Sequence, residues 1–86
     1  MRLDKFLKVS RIIKRRTLAK EVADQGRILI NGIEGKASSN VKLGDELTIR
    51  LGRRIMTVRV EKLLDTTKKE EAAGMYDLLK EEQLPE

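Results

Sequence analysis

The chain has no cysteine, no histidine and no tryptophan. Without thiols it can form neither disulfides nor thiolate zinc sites, and a reducing compartment is the expected setting. Without imidazole, Ser10, Ser38 and Ser39 have no histidine base to turn any of them into a nucleophile. No apolar run approaches the ~20 residues of a membrane span. Arg2, Asp4, Lys5 and Lys8 also interrupt the N-terminus, where a signal peptide needs continuous apolar residues. A soluble cytoplasmic protein that makes no membrane contact is expected. Aromatics are scarce as well, with one phenylalanine and one tyrosine, so the sequence offers no row of rings on which splayed bases could stack.

The few neighbouring carboxylates do not assemble into a catalytic pair. Asp45 and Glu46 are adjacent, so on a strand they face opposite ways, and Asp45 reads better as a turn former. Gly26, Gly32, Gly35 and Gly44 punctuate hairpins and do not spell a phosphate-binding loop. No enzyme activity and no cofactor or metal are expected.

Cations are abundant, and they are placed unevenly. The net charge is +5, yet residues 1–27 hold nine basic and three acidic groups, whereas residues 68–86 hold three and six. Lys14, Arg15 and Arg16 stand together where a helix should begin. The helix macrodipole already makes that end positive, so cations there are repelled unless an anion joins them. A phosphate relieves both, and Thr17 could cap the helix while donating to a phosphate oxygen. Arg2, Lys5 and Arg11 would extend the same surface if two helices pack side by side. The plain alternative is that these residues only keep the helices soluble. A phosphate face without a stacking platform points to structured RNA or duplex read by shape and backbone, and charge alone does not exclude DNA.

Leu3, Phe6, Leu7 and Ser10 follow the spacing of one helix face. A second helix is predicted from about Arg15 to Gln25, with Leu18, Ala19, Val22 and Ala23 as its buried stripe and Gly26 as its stop. Ile28 to Ile30 leads into Asn31-Gly32, a two-residue hairpin signal. A turn at Gly44-Asp45, a strand carrying Leu47, Ile49 and Leu51, a connection at Gly52-Arg53-Arg54 and a further strand from Ile55 complete a small sheet. Thr67-Lys68-Lys69-Glu70 matches a capping box, but Gly74 interrupts the helix it would open. The end of the chain is therefore expected to be a marginal helix or a tail ordered by a partner, with Met75, Tyr76 and Leu79 as the contact residues.

Taken in order, Arg2-Leu3-Asp4-Lys5-Phe6-Leu7, Arg16-Thr17 with Ala19, Gly26-Arg27-Ile28, Ile30-Asn31-Gly32 and Val41…Gly44-Asp45…Leu47 resemble the RNA-binding domain first described in ribosomal protein S-four, the αL motif. The tail segment "EEAAGMYD" resembles one that comes after the domain in a stand-alone bacterial heat-shock member. That member's long basic extension is not matched here, which favours the smaller stand-alone relatives. The resemblance implies an α+β fold with two N-terminal helices packed on a small, mostly antiparallel sheet. It implies an αL-motif domain over residues 1–65 and an acidic, partner-binding tail over 66–86.

For function, the resemblance implies a factor of ribosome-associated quality control. Such a factor would bind obstructed large ribosomal subunits and stabilise P-site peptidyl-tRNA while a tailing partner protein adds C-terminal alanines. Its partners would be large-subunit rRNA and tRNA, and it would act as a monomer. The RNA-binding residues would be Arg2, Lys5, Arg11, Lys14, Arg15, Arg16 and Thr17. Asp4 would orient a neighbouring arginine, or else pair with Lys8 one helical turn away. Two rival readings stay open. One is an assembly factor on immature large-subunit rRNA, and the other is a protein-interaction module working through the tail.

Overall fold

A computed structural model describes residues 1–66 and 68–85. Helix α1 (Leu3–Val9) and helix α2 (Arg16–Asp24) come first, before strands β1 (Ile28–Ile30), β2 (Ile33–Glu34), β3 (Glu46–Leu51) and β4 (Arg54–Val60). A four-residue helix α3 (Lys69–Ala72) and a single 3₁₀ turn (Ala73–Met75) then lead into strand β5 (Tyr76–Gln83). The strands form one sheet in the order β2-β1-β3-β4-β5, antiparallel at every junction. The fold is α+β, as the sequence pattern and the family resemblance predict.

Each junction has a local cause. Helix α2 ends in a Schellman motif: Gly26 N–H donates to the Ala23 carbonyl at 3.0 Å and Arg27 N–H to the Val22 carbonyl at 3.3 Å. The left-handed φ of +76° at Gly26 makes this closure possible. Asn31 and Gly32, with φ of +51° and +83°, form the two-residue turn that pairs Ile30 with Ile33. Asp45 shapes its turn by accepting from Lys42 N–H at 2.9 Å and also accepts from Asn31 Nδ2 at 3.0 Å, tying the two turns together.

The core lies between the two long helices and one face of the sheet. Leu3, Phe6 and Leu7 of α1 are fully buried, as are Ile28, Leu47, Ile49 and Val58 from the strands. Each such side chain contributes about 1.5–3 kcal/mol by leaving water. The α2 stripe is narrower than expected. Ala19, Val22 and Ala23 are buried, but Leu18 is 47% exposed. It precedes Ala19 by about 100° of helical rotation, which turns it away from the small face that touches α1.

The end of the chain departs most from expectation. Residues 76–83 form no marginal helix; they are a strand on the free edge of β4, paired from Val60↔Tyr76 to Arg54↔Gln83. Helix α3 tightens after one turn into the 3₁₀ turn that contains Gly74, and Met75 then enters the core with no exposed surface. The helical spacing of Met75, Leu78 and Leu79 comes from a register shift. Val58 pairs with Leu78 and Thr57 with Lys80, so Leu79 is an extra residue that breaks strand alternation. The acidic character of this segment also has a local use: Arg54 Nε donates to Glu81 Oε1 at 2.8 Å, and Arg59 Nη2 to Asp77 Oδ2 at 3.2 Å. The expected capping box opens on Thr67, which lies outside the described residues; Lys68 is the residue preceding α3.

Candidate nucleic-acid interface

Helix α2 begins without a side-chain cap. Its N-cap is Arg15 in an extended conformation, which makes no capping hydrogen bond through its side chain, and its first turn holds no acidic residue. Thr17, read from sequence as a possible cap, is the second helical residue and does not occupy the capping position. The start of α2 therefore combines outward-pointing N–H groups, the positive end of a dipole and the exposed side chains of Lys14, Arg15 and Arg16.

A single carboxylate organises the arginines. Asp4 sits in the first turn of α1 and is 3% exposed. Arg2 Nε donates to its Oδ1 at 3.1 Å and Arg2 Nη2 to Oδ2 at 3.3 Å, a two-pronged contact. Arg16 reaches across from α2, with Nη2 3.4 Å from Oδ1 and Nε 3.4 Å from Oδ2. Lys5 is the third residue on this carboxylate, its N–H donating to Oδ1 at 2.8 Å. Burial alone pushes the Asp4 carboxyl up. The hydrogen bonds from Arg2 and Arg16, the Arg16 charge and the Lys5 N–H together outweigh it and hold the group below the usual carboxylate range. Arg2 and Arg16 nevertheless keep 51% and 50% of their side-chain surface exposed, so each guanidinium has donors left for a ligand.

The other site residues predicted from sequence lie on the same helices or in the connection between them. Lys5, one residue on from Asp4, donates through Nζ to Asp65 Oδ1 at 2.9 Å. This contact closes the segment after β4 onto α1, and it had no sequence signal because sixty positions separate the partners. The Lys5 ammonium in turn draws the Asp65 carboxyl below its ordinary value. Arg11 is exposed in the connection between the helices, held at a left-handed φ of +63° just before Ile13 enters the core. Of the three residues expected to contact a partner, Met75 is fully buried and presents nothing outward. Tyr76 is half-buried, and Leu79 is exposed at the register shift of β5.

Among the described residues no group of histidine, cysteine, aspartate or glutamate is arranged to hold a metal ion, and no helix is long and apolar enough to cross a membrane. The interface offers fixed positive charge and hydrogen-bond donors, which suit phosphate oxygens.

Comparison with known proteins agrees with this geometry. The S4 domain family model matches residues 1–47, the span containing both helices, Asp4 and the arginines. The RQC P-site tRNA stabilizing factor of Bacillus subtilis is 74% identical over 86 residues, covering all of both chains. Its namesake in Streptococcus pneumoniae is 57% identical over the whole of this chain and 98% of its own. The solved structure of Vibrio cholerae Heat Shock Protein 15 superposes with a TM-score of 0.86 at 34% identity, covering 92% of this chain and 81% of that one. A motif match over the helical half, joined to likeness across the remaining strands, places the chain in the S4 domain family.

Proposed function

We propose that this protein is a non-enzymatic RNA-binding factor of ribosome-associated quality control. In this reading it sits on an obstructed large ribosomal subunit in the cytoplasm and steadies the peptidyl-tRNA in the P site while a partner protein extends the stalled chain with alanine. The observation that carries it is the Arg2–Asp4–Arg16 clasp. Two guanidinium groups from neighbouring helices are fixed by one buried carboxylate and still face solvent beside the uncapped start of α2. Preset cations of this kind grip phosphates of folded RNA without having to be ordered on binding.

The mechanism is positional. Arg15, Arg16 and Lys14 neutralise backbone phosphates at the start of α2, and Arg2 does so from the start of α1. Because the two helices are packed together, contacts to two RNA segments are held at a fixed separation. A factor that touches rRNA on one side and tRNA on the other stabilises the tRNA by linking it to the subunit. The whole-chain likeness to the Bacillus subtilis and Streptococcus pneumoniae factors supports this role over others open to an S4 domain.

The test is crosslinking of the tagged protein in cells, with sequencing of the attached RNA. Joint recovery of mature large-subunit rRNA and tRNA is the expected result. Precursor rRNA without tRNA would overturn the quality-control role and move the protein to subunit assembly.

A further inference from the structure

The basic surface continues beyond the Asp4 clasp. The connection between α1 and α2 faces the short α3 and the 3₁₀ turn across an open groove of about 450 Å³. Arg11 and Lys14 form one wall; Lys69, Ala73 and Tyr76 form the other. Its volume falls within the ~300–1,000 Å³ of small-ligand clefts. Three of its described lining residues are cations and none is acidic, although the chain around α3 is rich in glutamate. Tyr76 contributes the one aromatic ring that reaches the surface, since Phe6 is fully buried.

We propose that this groove holds one unpaired nucleotide of the bound RNA, its base against the Tyr76 ring and its phosphates between Lys14 and Lys69. The proposal rests on the RNA-binding reading and extends it, because backbone contacts at α2 by themselves require no single-stranded element. Charge complementarity selects a polyanion, and a partly exposed ring lining the same groove as two lysines suits a base joined to its phosphate. Lys14 joins the two surfaces: it precedes Arg16 by two residues, so a strand leaving the α2 start can enter the groove directly. No sequence pattern marks this site, because Lys14 and Tyr76 line one groove only once β5 pairs with β4 and brings Tyr76 opposite Val60.

The chain reports on the site by itself. With one tyrosine and no tryptophan, its emission comes from Tyr76 alone when it is excited at wavelengths Phe6 does not absorb. Two RNA probes suffice: a blunt, fully paired hairpin, and the same hairpin with a short unpaired adenosine extension. Free N-acetyltyrosinamide corrects for absorbance by the RNA. Both probes are expected to bind. Only the extended one should quench Tyr76, and it should bind roughly tenfold more tightly, within the range for one base stacked on an aromatic ring. Lys69→Ala, an exposed substitution, should shrink that preference. Binding of both hairpins with equal affinity and no quenching would overturn the groove while leaving the RNA reading in place. Failure of both hairpins to bind would overturn the two together.

Discussion

Asp4 and Arg16 are twelve residues apart on different helices, yet Arg16 Nη2 lies 3.4 Å from Asp4 Oδ1. Arg2 holds the same carboxylate from the other side. The only acidic group in the first turn of α1 is therefore spent on aiming two cations, and it joins the helices that carry them. Replacing Asp4 should weaken RNA binding although aspartate cannot itself bind phosphate. Asp4→Ala is expected to lower affinity for a ribosomal RNA fragment several-fold and stability by about 1–3 kcal/mol, since the Lys5 N–H loses its acceptor. Unchanged affinity in a filter-binding titration would show that the arginines need no positioning.

Acid should reveal the same contact. The Asp4 pKa is held below its ordinary 3.8, so the charged carboxylate binds protons less readily in the folded state than in the unfolded one. The stability it supplies is complete above about pH 4 and disappears as pH falls through the depressed folded value. Urea unfolding of the wild type and Asp4→Asn should differ by a constant amount near neutrality. The gap should narrow below about pH 4. A gap that persists undiminished in strong acid would assign the difference to shape and not to charge.

Removing Arg15 and Arg16 together should reduce the salt dependence of RNA binding as well as its strength. Each phosphate released from its cation lowers the slope of log K against log salt by about 0.7–0.9. The measurement is a set of titrations on purified ribosomal RNA at several salt concentrations. An unchanged slope would remove the start of α2 from the interface.

Truncation before β5 should unfold the protein and not merely detach a tail. Strand β5 covers the edge of β4, and Met75 fills the core beside it. Loss of Met75 alone is worth about 2–5 kcal/mol, a large share of the stability of so small a domain. A chain ending at residue 66 should show no cooperative thermal transition by circular dichroism. A sharp melt near the wild-type temperature would mean that the helices and first four strands suffice.

Gly26→Ala and Gly32→Ala should destabilise by similar amounts. Both positions have positive φ, a strain of about 1–2 kcal/mol for an alanine. At Gly26 the added methyl meets only the carboxylate end of Glu34, an exposed side chain free to swing aside, and at Gly32 it meets open space. Thermal melts of the two variants should therefore shift alike, and a loss several degrees larger at Gly26 would mean that Glu34 is held in place.

Local chemistry fixed much of this protein from the sequence alone. The apolar spacing of Leu3, Phe6 and Leu7, the stop at Gly26 and the Asn31-Gly32 turn each depend on neighbours within a few positions, so they can be read in one dimension. The excess of cations at the start of α2 was equally visible, because a dipole and its repelled charges belong to one helix. Tertiary structure decided the features that depend on distant partners. β5 exists because β4 presents an unpaired edge, and a one-residue shift at Leu79 disguised the strand as a helix. Asp4 was open in sequence to orienting an arginine or to pairing with Lys8, and packing of α2 against α1 decided between them by bringing Arg16 to it. The acidic end of the chain reads as a marginal helix or a tail ordered by a partner, whereas its Glu81 and Asp77 pair with Arg54 and Arg59 across the sheet. Charge attracts over any sequence separation, and only the folded chain determines which charges meet.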